Sequence, residues 1–271
     1  MIVVKLIAVP AVIWLASWAG RRWGHRISGL ISGFPLIAGP IVLFLSIDAP
    51  RAFIAELSWV TMSVAPAMGV HCLVYAWLAR VPMQKWIPKS AHALVCLLCA
   101  WSGCIATELL MSAMLIKGAG GAALAFAELV LFAVLMPRMQ SSAVVPHIPP
   151  FEMVVRIGAA LALAAAAMLG AETFGPRVSG ILLAFPITAS VLPVFTLVLY
   201  GADATARLLS GFLTGLTGFV AYFFAFASLV EAQGPAMAFF AGAAASLLAV
   251  SLTLAWRAMR GKFARRANGD E

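Results

Sequence analysis

Apolar residues occur along this chain in long runs that are separated by short polar or charged segments. A run of about 18 or more apolar residues is long enough for a helix to cross the hydrocarbon core of a bilayer. We predict nine membrane-spanning helices from this pattern. Their expected bounds are 2–19, 27–47, 54–78, 91–116, 120–137, 153–172, 178–200, 208–230 and 235–257.

The composition supports this class of protein and narrows its partners. Of 271 residues, 63% are hydrophobic and only 10% are charged, which is too little polar surface for a water-soluble domain. The net charge of +8 does not indicate a nucleic-acid partner, because the cations lie between apolar runs instead of forming a stripe with aromatic residues. The expected surroundings are a lipid bilayer, and the pattern leaves a homodimer open.

The distribution of positive charge predicts an orientation in the membrane. With nine spans, 14 of the 18 Lys and Arg residues fall on one side. Positive residues accumulate on the cytoplasmic side of membrane proteins. We therefore expect a multi-pass protein of the bacterial inner membrane with its N-terminus outside and its C-terminus in the cytoplasm, as an odd number of spans requires.

Two distant segments of the chain resemble each other. Residues 24–38 read GHRISGLISGFPLIA and residues 175–189 read GPRVSGILLAFPITA, at a constant offset of 151. The shared composition of membrane helices explains matching Ala and Leu residues, but not a Ser-Gly pair and a Phe-Pro pair at the same spacing. The identical positions are Gly24/Gly175, Arg26/Arg177, Ser28/Ser179, Gly29/Gly180, Phe34/Phe185, Pro35/Pro186 and Ala38/Ala189.

This duplication predicts an all-α membrane protein built from two inverted four-helix repeats. Corresponding spans are five apart, and because five is odd, each copy enters the membrane from the opposite side. The expected divisions are a first repeat 1–118, a connecting helix 119–140, a linker 141–152, a second repeat 153–257 and a cytoplasmic tail 258–271. Many secondary transporters have this plan and bind substrate where the repeats meet. A duplicated scaffold without transport activity is the alternative, since fold alone does not fix function.

The second half carries short motifs that resemble a known family. They are Gly180 with Phe185-Pro186, Gly201 with Ala206-Arg207, Tyr222-Phe223-Phe224 and Trp256. Through them, residues 171–257 resemble the GlpM family of small, four-span bacterial inner-membrane proteins, and the first half matches less well, through Gly29, Phe34-Pro35 and Arg51. The resemblance implies a four-helix membrane unit and, by analogy, an accessory role in envelope polysaccharide assembly. The overall plan is also similar to the drug/metabolite transporter superfamily, which has ten spans.

Spans 2 and 7 carry helix-weakening residues at matching positions, and they form the first candidate site. Proline removes a backbone hydrogen bond from a helix, and in hydrocarbon the freed carbonyl needs protein, water or ligand as a partner. Broken helices at corresponding positions of two halves are typical of a transporter binding site. Packing of a Gly-x-x-x-Gly face against another helix is the alternative. The residues predicted to contact substrate are Ser28, Gly29, Ser32, Gly33, Phe34, Pro35, Ser179, Gly180, Phe185, Pro186, Thr188 and Ser190.

Two carboxylates inside predicted spans form the second candidate site. A carboxylate at mid-membrane depth is costly and usually functional. Glu108 lies about ten residues before the KGAGG turn and Glu128 about ten residues after it, so an antiparallel hairpin would place both at similar depth. If the two carboxylates face each other, they could share a proton that couples to substrate movement, and this is the hypothesis for Glu108 and Glu128. A protonated Glu that is hydrogen-bonded to a carbonyl is the alternative.

The remaining polar residues give no indication of enzymatic chemistry. His92, Cys96 and Cys99 share one helix face and could hold a soft metal ion, but Cys in membrane helices usually acts as a small apolar residue. No nucleotide-binding loop, nucleophile elbow or metalloprotease motif is present. We therefore predict no catalytic residue, no metal site and no cofactor. The preferred function is secondary transport of a small molecule, with a membrane scaffold as the competing class.

Overall fold

The structure of the chain is a computed structural model. It describes residues 11, 14–15, 17–19, 21–114, 118–137, 154, 157–158 and 176–267. Over these residues the regular secondary structure is helical, and they contain no β-strand. The helices are α1 His25–Gly33, α2 Ala38–Asp48, α3 Arg51–Ser63, α4 Ala65–Leu78, α5 Lys89–Met114, α6 Gly118–Leu135, α7 Pro176–Leu183, α8 Ile187–Gln233 and α9 Pro235–Ala267.

Six helical stretches of the described chain are long and apolar enough to cross a membrane. They are His25–Ile47, Arg51–Leu78, Lys89–Met111, Gly118–Leu135, Gly180–Gln233 and Pro235–Met259. Five of them each coincide with one predicted span. The remaining stretch, Gly180–Gln233, covers the two predicted spans 178–200 and 208–230. The predicted spans 2–19 and 153–172 and the linker 141–152 lie largely or wholly outside the described residues. The helical structure of the described residues and their six long apolar stretches are consistent with the predicted helical membrane protein, and the count of nine spans stays a prediction.

The longest apolar stretch is a hairpin and not one straight helix. At 54 residues, a straight helix would extend about 80 Å, which is far more than the roughly 30 Å of the hydrocarbon core. At Gly201 the backbone has φ +81° and ψ −176°, a region that is essentially restricted to glycine. Leu192, before this turn, packs with Leu208, after it. Helix α8 therefore consists of two arms, 187–200 and 202–233, that fold back on each other.

A second reversal of the chain occurs at Gly234, where φ is +82° and ψ is 167°. Beyond it α9 packs along the second arm of α8. A Cβ atom added to Gly218 would contact Ser246, and one added to Gly242 would contact Tyr222. Moving from Gly218 toward the turn, to Tyr222, moves the contact on α9 back toward the turn by the same number of residues, from Ser246 to Gly242, so the two helices are antiparallel.

Helix α8 lies at the centre of the bundle. It packs against α1, α3, α4, α5, α6 and α9. Large side chains such as Phe223, Phe226 and Tyr75 are fully buried in this core. On the outer helices, leucines such as Leu109 and Leu248 are mostly exposed, as expected for side chains that face lipid.

Helix α1 packs directly on the backbone of α8 through glycines. A Cβ atom on Gly29 or Gly33 would collide with the backbone at Leu208 or Phe212. Gly211 and Gly215 on α8 have the same relation to the backbone of α1. Each helix thus contributes a Gly-x-x-x-Gly face, which allows close approach of membrane helices. The packing interpretation of Gly29-x-x-x-Gly33 is therefore confirmed, and the two helices run parallel.

Candidate functional site

The first Phe-Pro step ends one helix and starts another, as the sequence predicts. Helix α1 ends at Gly33, and α2 begins at Ala38. The Leu36 N–H donates to the Phe34 carbonyl, at 2.8 Å, instead of reaching back to Ser32 as it would in a continuous helix. The Ser32 carbonyl is therefore released from its helical partner.

The second Phe-Pro step repeats this backbone arrangement. The Ile187 N–H donates to the Phe185 carbonyl at 2.8 Å, and the helix resumes with Ser190 N–H to Pro186 O at 2.9 Å. Pro186 has φ −77° and ψ 62°, which is the geometry of an inverse γ-turn. The equivalent bonds in the first copy, at an offset of 151, agree with these within 0.1 Å. The same short sequence therefore forms the same break twice.

The two breaks border one cavity of about 50 Å³. Ten of its lining residues form five pairs at the offset of 151, so the two halves contribute equivalent positions to its lining. The pairs are Ser32/Leu183, Gly33/Ala184, Phe34/Phe185, Ile37/Thr188 and Met68/Phe219. The other lining residues are Ala38, Pro186, Ile187 and Phe212. We call this space the central cavity.

Hydroxyl groups near the central cavity partly replace the lost helical hydrogen bonds. Thr188 Oγ1 donates to the released Ser32 carbonyl at 3.2 Å, and Ser32 Oγ donates to Ser28 O at 2.9 Å. The equivalent of Thr188 in the first copy is Ile37, which has no hydroxyl. The Leu183 carbonyl, equivalent to that of Ser32, therefore has no matching side-chain donor.

Contacts between the halves are reciprocal around the central cavity. A Cβ atom on Gly29 would collide with Leu208 O, and one on Gly180 would lie 2.8 Å from Leu57 O. Gly29 and Gly180 are equivalent by the offset of 151, and so are Leu57 and Leu208. The glycine of each half thus lies against the equivalent leucine carbonyl of the other half. This reciprocal contact is the pattern of a two-fold interface.

Two buried polar side chains continue this reciprocity one turn beyond the breaks. His71 Nε2 lies 3.1 Å from Ala189 O, and Tyr222 OH donates to Gly39 O at 3.4 Å. His71 and Tyr222 are again 151 positions apart. Both side chains therefore hold the start of the helix that follows the break in the opposite half.

Half of the predicted substrate-contacting residues line the central cavity. These are Ser32, Gly33, Phe34, Phe185, Pro186 and Thr188. Ser28, Gly29, Pro35, Gly180 and Ser190 lie in the surrounding contacts, where Ser190 Oγ accepts a hydrogen bond from Trp101 Nε1 at 2.9 Å. The Ser179 side chain lies outside the described residues. Sequence reasoning missed Met68 and Phe219, although the offset of 151 would have connected them.

The two carboxylates do not form the facing pair that a simple hairpin predicts. Helices α5 and α6 each pack against α4 and α8, with little contact between each other. Within the described part of the chain, Glu108 and Glu128 each have a buried Oε2 atom without a hydrogen-bond partner. Glu108 lies close enough to Arg177 for electrostatic attraction. A shared proton therefore stays a prediction.

His92, Cys96 and Cys99 on α5 do not form a metal site. The described residues contain no group of three His, Cys, Asp or Glu side chains that could hold a metal ion. His92 Nε2 instead lies 3.0 Å from Leu78 O. The four cysteines are free, and three of them are buried.

Comparison with known proteins adds no further assignment. No protein-family model matches the chain, and no match was found among curated proteins or solved structures. What the site can do must therefore be inferred from its geometry. It offers a small space, backbone carbonyls released by two helix breaks, and two hydroxyl groups, and this set can bind a small polar molecule.

Proposed function

We propose that this protein is a secondary transporter of a small molecule and not an enzyme. The observation that carries the proposal is the lining of the central cavity by equivalent residues of two helix breaks. Transporters with inverted repeats bind substrate at such breaks near the bilayer midplane. In this proposal the chain has nine spans in the bacterial inner membrane, arranged as four, one and four.

The contacts between the halves support an inverted relation. Gly29 and Gly180 meet the reciprocal carbonyls of Leu208 and Leu57, as a two-fold axis in the membrane plane would require. Parallel packing of α1 on the arm 202–233 agrees with the proposed order of spans, in which spans 2 and 8 leave the cytoplasmic side. The axis would pass through the central cavity, so each half could rock against the other around the bound molecule.

The size of the central cavity suggests an occluded conformation. A volume of about 50 Å³ corresponds to one or two water molecules, since a water occupies roughly 30 Å³ in the liquid. Pockets that bind larger ligands enclose some 300–1,000 Å³. The substrate would therefore enter only after the repeats move apart. Because the Leu183 carbonyl lacks a matching donor, a substrate with an N–H or O–H group would bind there.

Two polar links at opposite ends of the bundle are suited to be gates. Arg80 and Asp203 form an ion pair at 2.7 Å, and Arg51 Nη1 donates to Glu231 O at 3.2 Å at the other end of the same span. Arg80 and Glu231 are equivalent by the offset of 151, and their partners Asp203 and Arg51 lie one position away from equivalence. In the proposed mechanism each link opens while the other stays closed.

A membrane scaffold is the competing function, and two observations favour it. The glycine faces of α1 and α8 allow little movement, and the central cavity is small. The resemblance to GlpM-like proteins would then suggest an accessory role in envelope polysaccharide assembly. A scaffold would leave metabolite fluxes unchanged when the central cavity alone is altered.

The test is a metabolite uptake and export screen. A deletion strain would be compared with strains that express the wild type, Thr188→Val or Thr196→Val at equal levels. Thr196 is a buried threonine on the same arm of α8 that bonds only locally, to Leu192 O, so its variant is a matched control. We expect a flux that disappears in the deletion strain, falls with Thr188→Val and persists with Thr196→Val. No change in any flux on deletion contradicts transport.

A further inference from the structure

Among the residues that the structure describes, a cleft at one end of the bundle is lined by two arginines and by no acidic residue. It has a volume of about 380 Å³ and is lined by Arg26, Ala133, Val134, Ser210, Trp256 and Arg257. We call it the arginine cleft. Arg26 belongs to the first turn of α1, and Arg257 lies close to the end of the apolar part of α9. The cleft therefore lies where the bundle meets one surface of the membrane.

The two guanidinium groups are close enough to repel each other. Arg257 Nη1 donates to the carbonyl and to the hydroxyl of Ser210, at 3.3 and 3.4 Å. These contacts hold the cation in place without neutralising it, because both acceptors are uncharged. Two cations held together in a partly buried cleft favour binding of an anion.

The repeat provides an internal comparison for this cleft. Arg26 and Arg177 are equivalent by the offset of 151, and Arg177 lies within electrostatic range of the carboxylate of Glu108. By the same offset, Arg257 corresponds to Ala106, two positions from Glu108. Arg177 of the second repeat therefore lies near a carboxylate of the first repeat, whereas Arg26 of the first repeat lies near a second arginine, Arg257, of the second repeat. A ligand would supply the negative charge that the arginine cleft lacks.

We propose that the arginine cleft binds the phosphate group of an anionic membrane phospholipid. The cleft opens toward the lipid-facing surface, where Val134 is 57% exposed, and Trp256 is of a type that concentrates at membrane interfaces. Basic pockets between membrane helices on the cytoplasmic side bind such head groups, and the predicted orientation places Arg26 and Arg257 on that side. This site is separate from the central cavity and does not depend on transport.

The test measures lipid binding to the full-length protein in mild detergent. Phosphatidylglycerol would be titrated and bound lipid counted by native mass spectrometry. Each arginine near a membrane surface contributes to the affinity for anionic lipid. We therefore expect Arg26→Gln or Arg257→Gln to weaken lipid binding about fivefold, and the double variant to weaken it about 25-fold. Arg177→Gln is the matched control, because it removes the equivalent arginine of the other repeat, and it should leave binding unchanged.

Three further arms decide the source of the phosphate group and exclude misfolding. Phosphatidylcholine should bind at least tenfold more weakly than phosphatidylglycerol, and millimolar inorganic phosphate should not displace the lipid. The double lysine variant of Arg26 and Arg257 should retain most of the binding. The proposal is overturned if the double glutamine variant binds like the wild type, if Arg177→Gln weakens binding equally, or if inorganic phosphate displaces the lipid.

Discussion

Thr188 shows at the residue scale how the chain stabilises a broken membrane helix. Its hydroxyl group compensates a carbonyl of the opposite half, at Ser32, which the Phe-Pro step has released from its own helix. A buried acceptor without a partner costs about 1–3 kcal/mol. Thr188 therefore stabilises the break and the contact between the halves together.

Replacing Thr188 by Val should lower the free energy of unfolding by about 1–3 kcal/mol, because the shape is kept and the Ser32 carbonyl loses its donor. Thr196→Val should cost less, since the Leu192 carbonyl keeps its helical amide partner. Denaturant unfolding in detergent, followed by circular dichroism, measures both. Equal losses for the two variants would contradict this role of Thr188.

The opposite change, the addition of a hydroxyl group, can be made at Ile37, which is equivalent to Thr188. Ile37→Thr places a hydroxyl group at the position equivalent to Thr188, within the wall of the central cavity, where it could donate to Leu183 O. Compared with the isosteric Ile37→Val, it should be more stable by about 1 kcal/mol. It should also transport more slowly, because the substrate would lose its acceptor. An Ile37→Thr variant that is less stable than Ile37→Val would exclude this geometry.

Glycine turns determine how the elements are connected. Gly201 and Gly234 each reverse the direction of the chain between two antiparallel helices. At each turn the glycine is the single non-helical residue. Both adopt positive φ near +80° with ψ near 180°, which a residue with a Cβ atom tolerates poorly. These turns allow the long apolar sequence 187–259 to fold as a compact set of helices.

Gly201→Ala should destabilise the protein by about 1–3 kcal/mol through backbone strain alone, because its added Cβ atom would contact nothing within 4 Å. Gly158→Ala is the control, since that position is equally open and has no positive φ. Thermal unfolding in detergent compares the two. A loss no larger than that of Gly158→Ala would show that the turn accommodates alanine.

The whole molecule is organised around the relation between its halves. The same offset of 151 connects the cavity lining and the glycine contacts, and it relates the links at the two ends of the bundle to within one position. In the proposed mechanism the links Arg80–Asp203 and Arg51–Glu231 close opposite sides. Because both links are partly exposed, each contributes at most about 1 kcal/mol, which a moving protein can break readily.

Removing each link should therefore open the central cavity to a different side. A Ser32→Cys reporter, in a background without Cys72, Cys96, Cys99 and Cys104, would be labelled with an impermeant thiol reagent in right-side-out and inverted vesicles. We expect Arg80→Gln to raise labelling from one side and Arg51→Gln from the other, with little change in stability. Increased labelling from the same side in both variants would contradict alternating access.

The sequence alone determined the apolar helices and the two helix breaks. Both follow from local chemistry, since a long run of apolar side chains must avoid water and proline cannot complete the helical hydrogen bond in either copy. Six of the twelve residues that were predicted around the Phe34-Pro35 and Phe185-Pro186 steps line the central cavity, and their contact with a substrate stays a prediction. The spacing of Glu108 and Glu128 failed to predict their neighbours, because depth along a helix does not specify which face meets which helix.

The tertiary structure alone decided which segments meet. It brought the two breaks to one cavity, placed Thr188 on the Ser32 carbonyl and gave Met68 and Phe219 equivalent positions on its walls. It also placed Arg26 beside Arg257. Arg177, which is equivalent to Arg26, lies instead within electrostatic range of Glu108. These contacts depend on rotation and crossing of helices that are distant in sequence, and such packing is set by the whole bundle, not by the pattern of any one span.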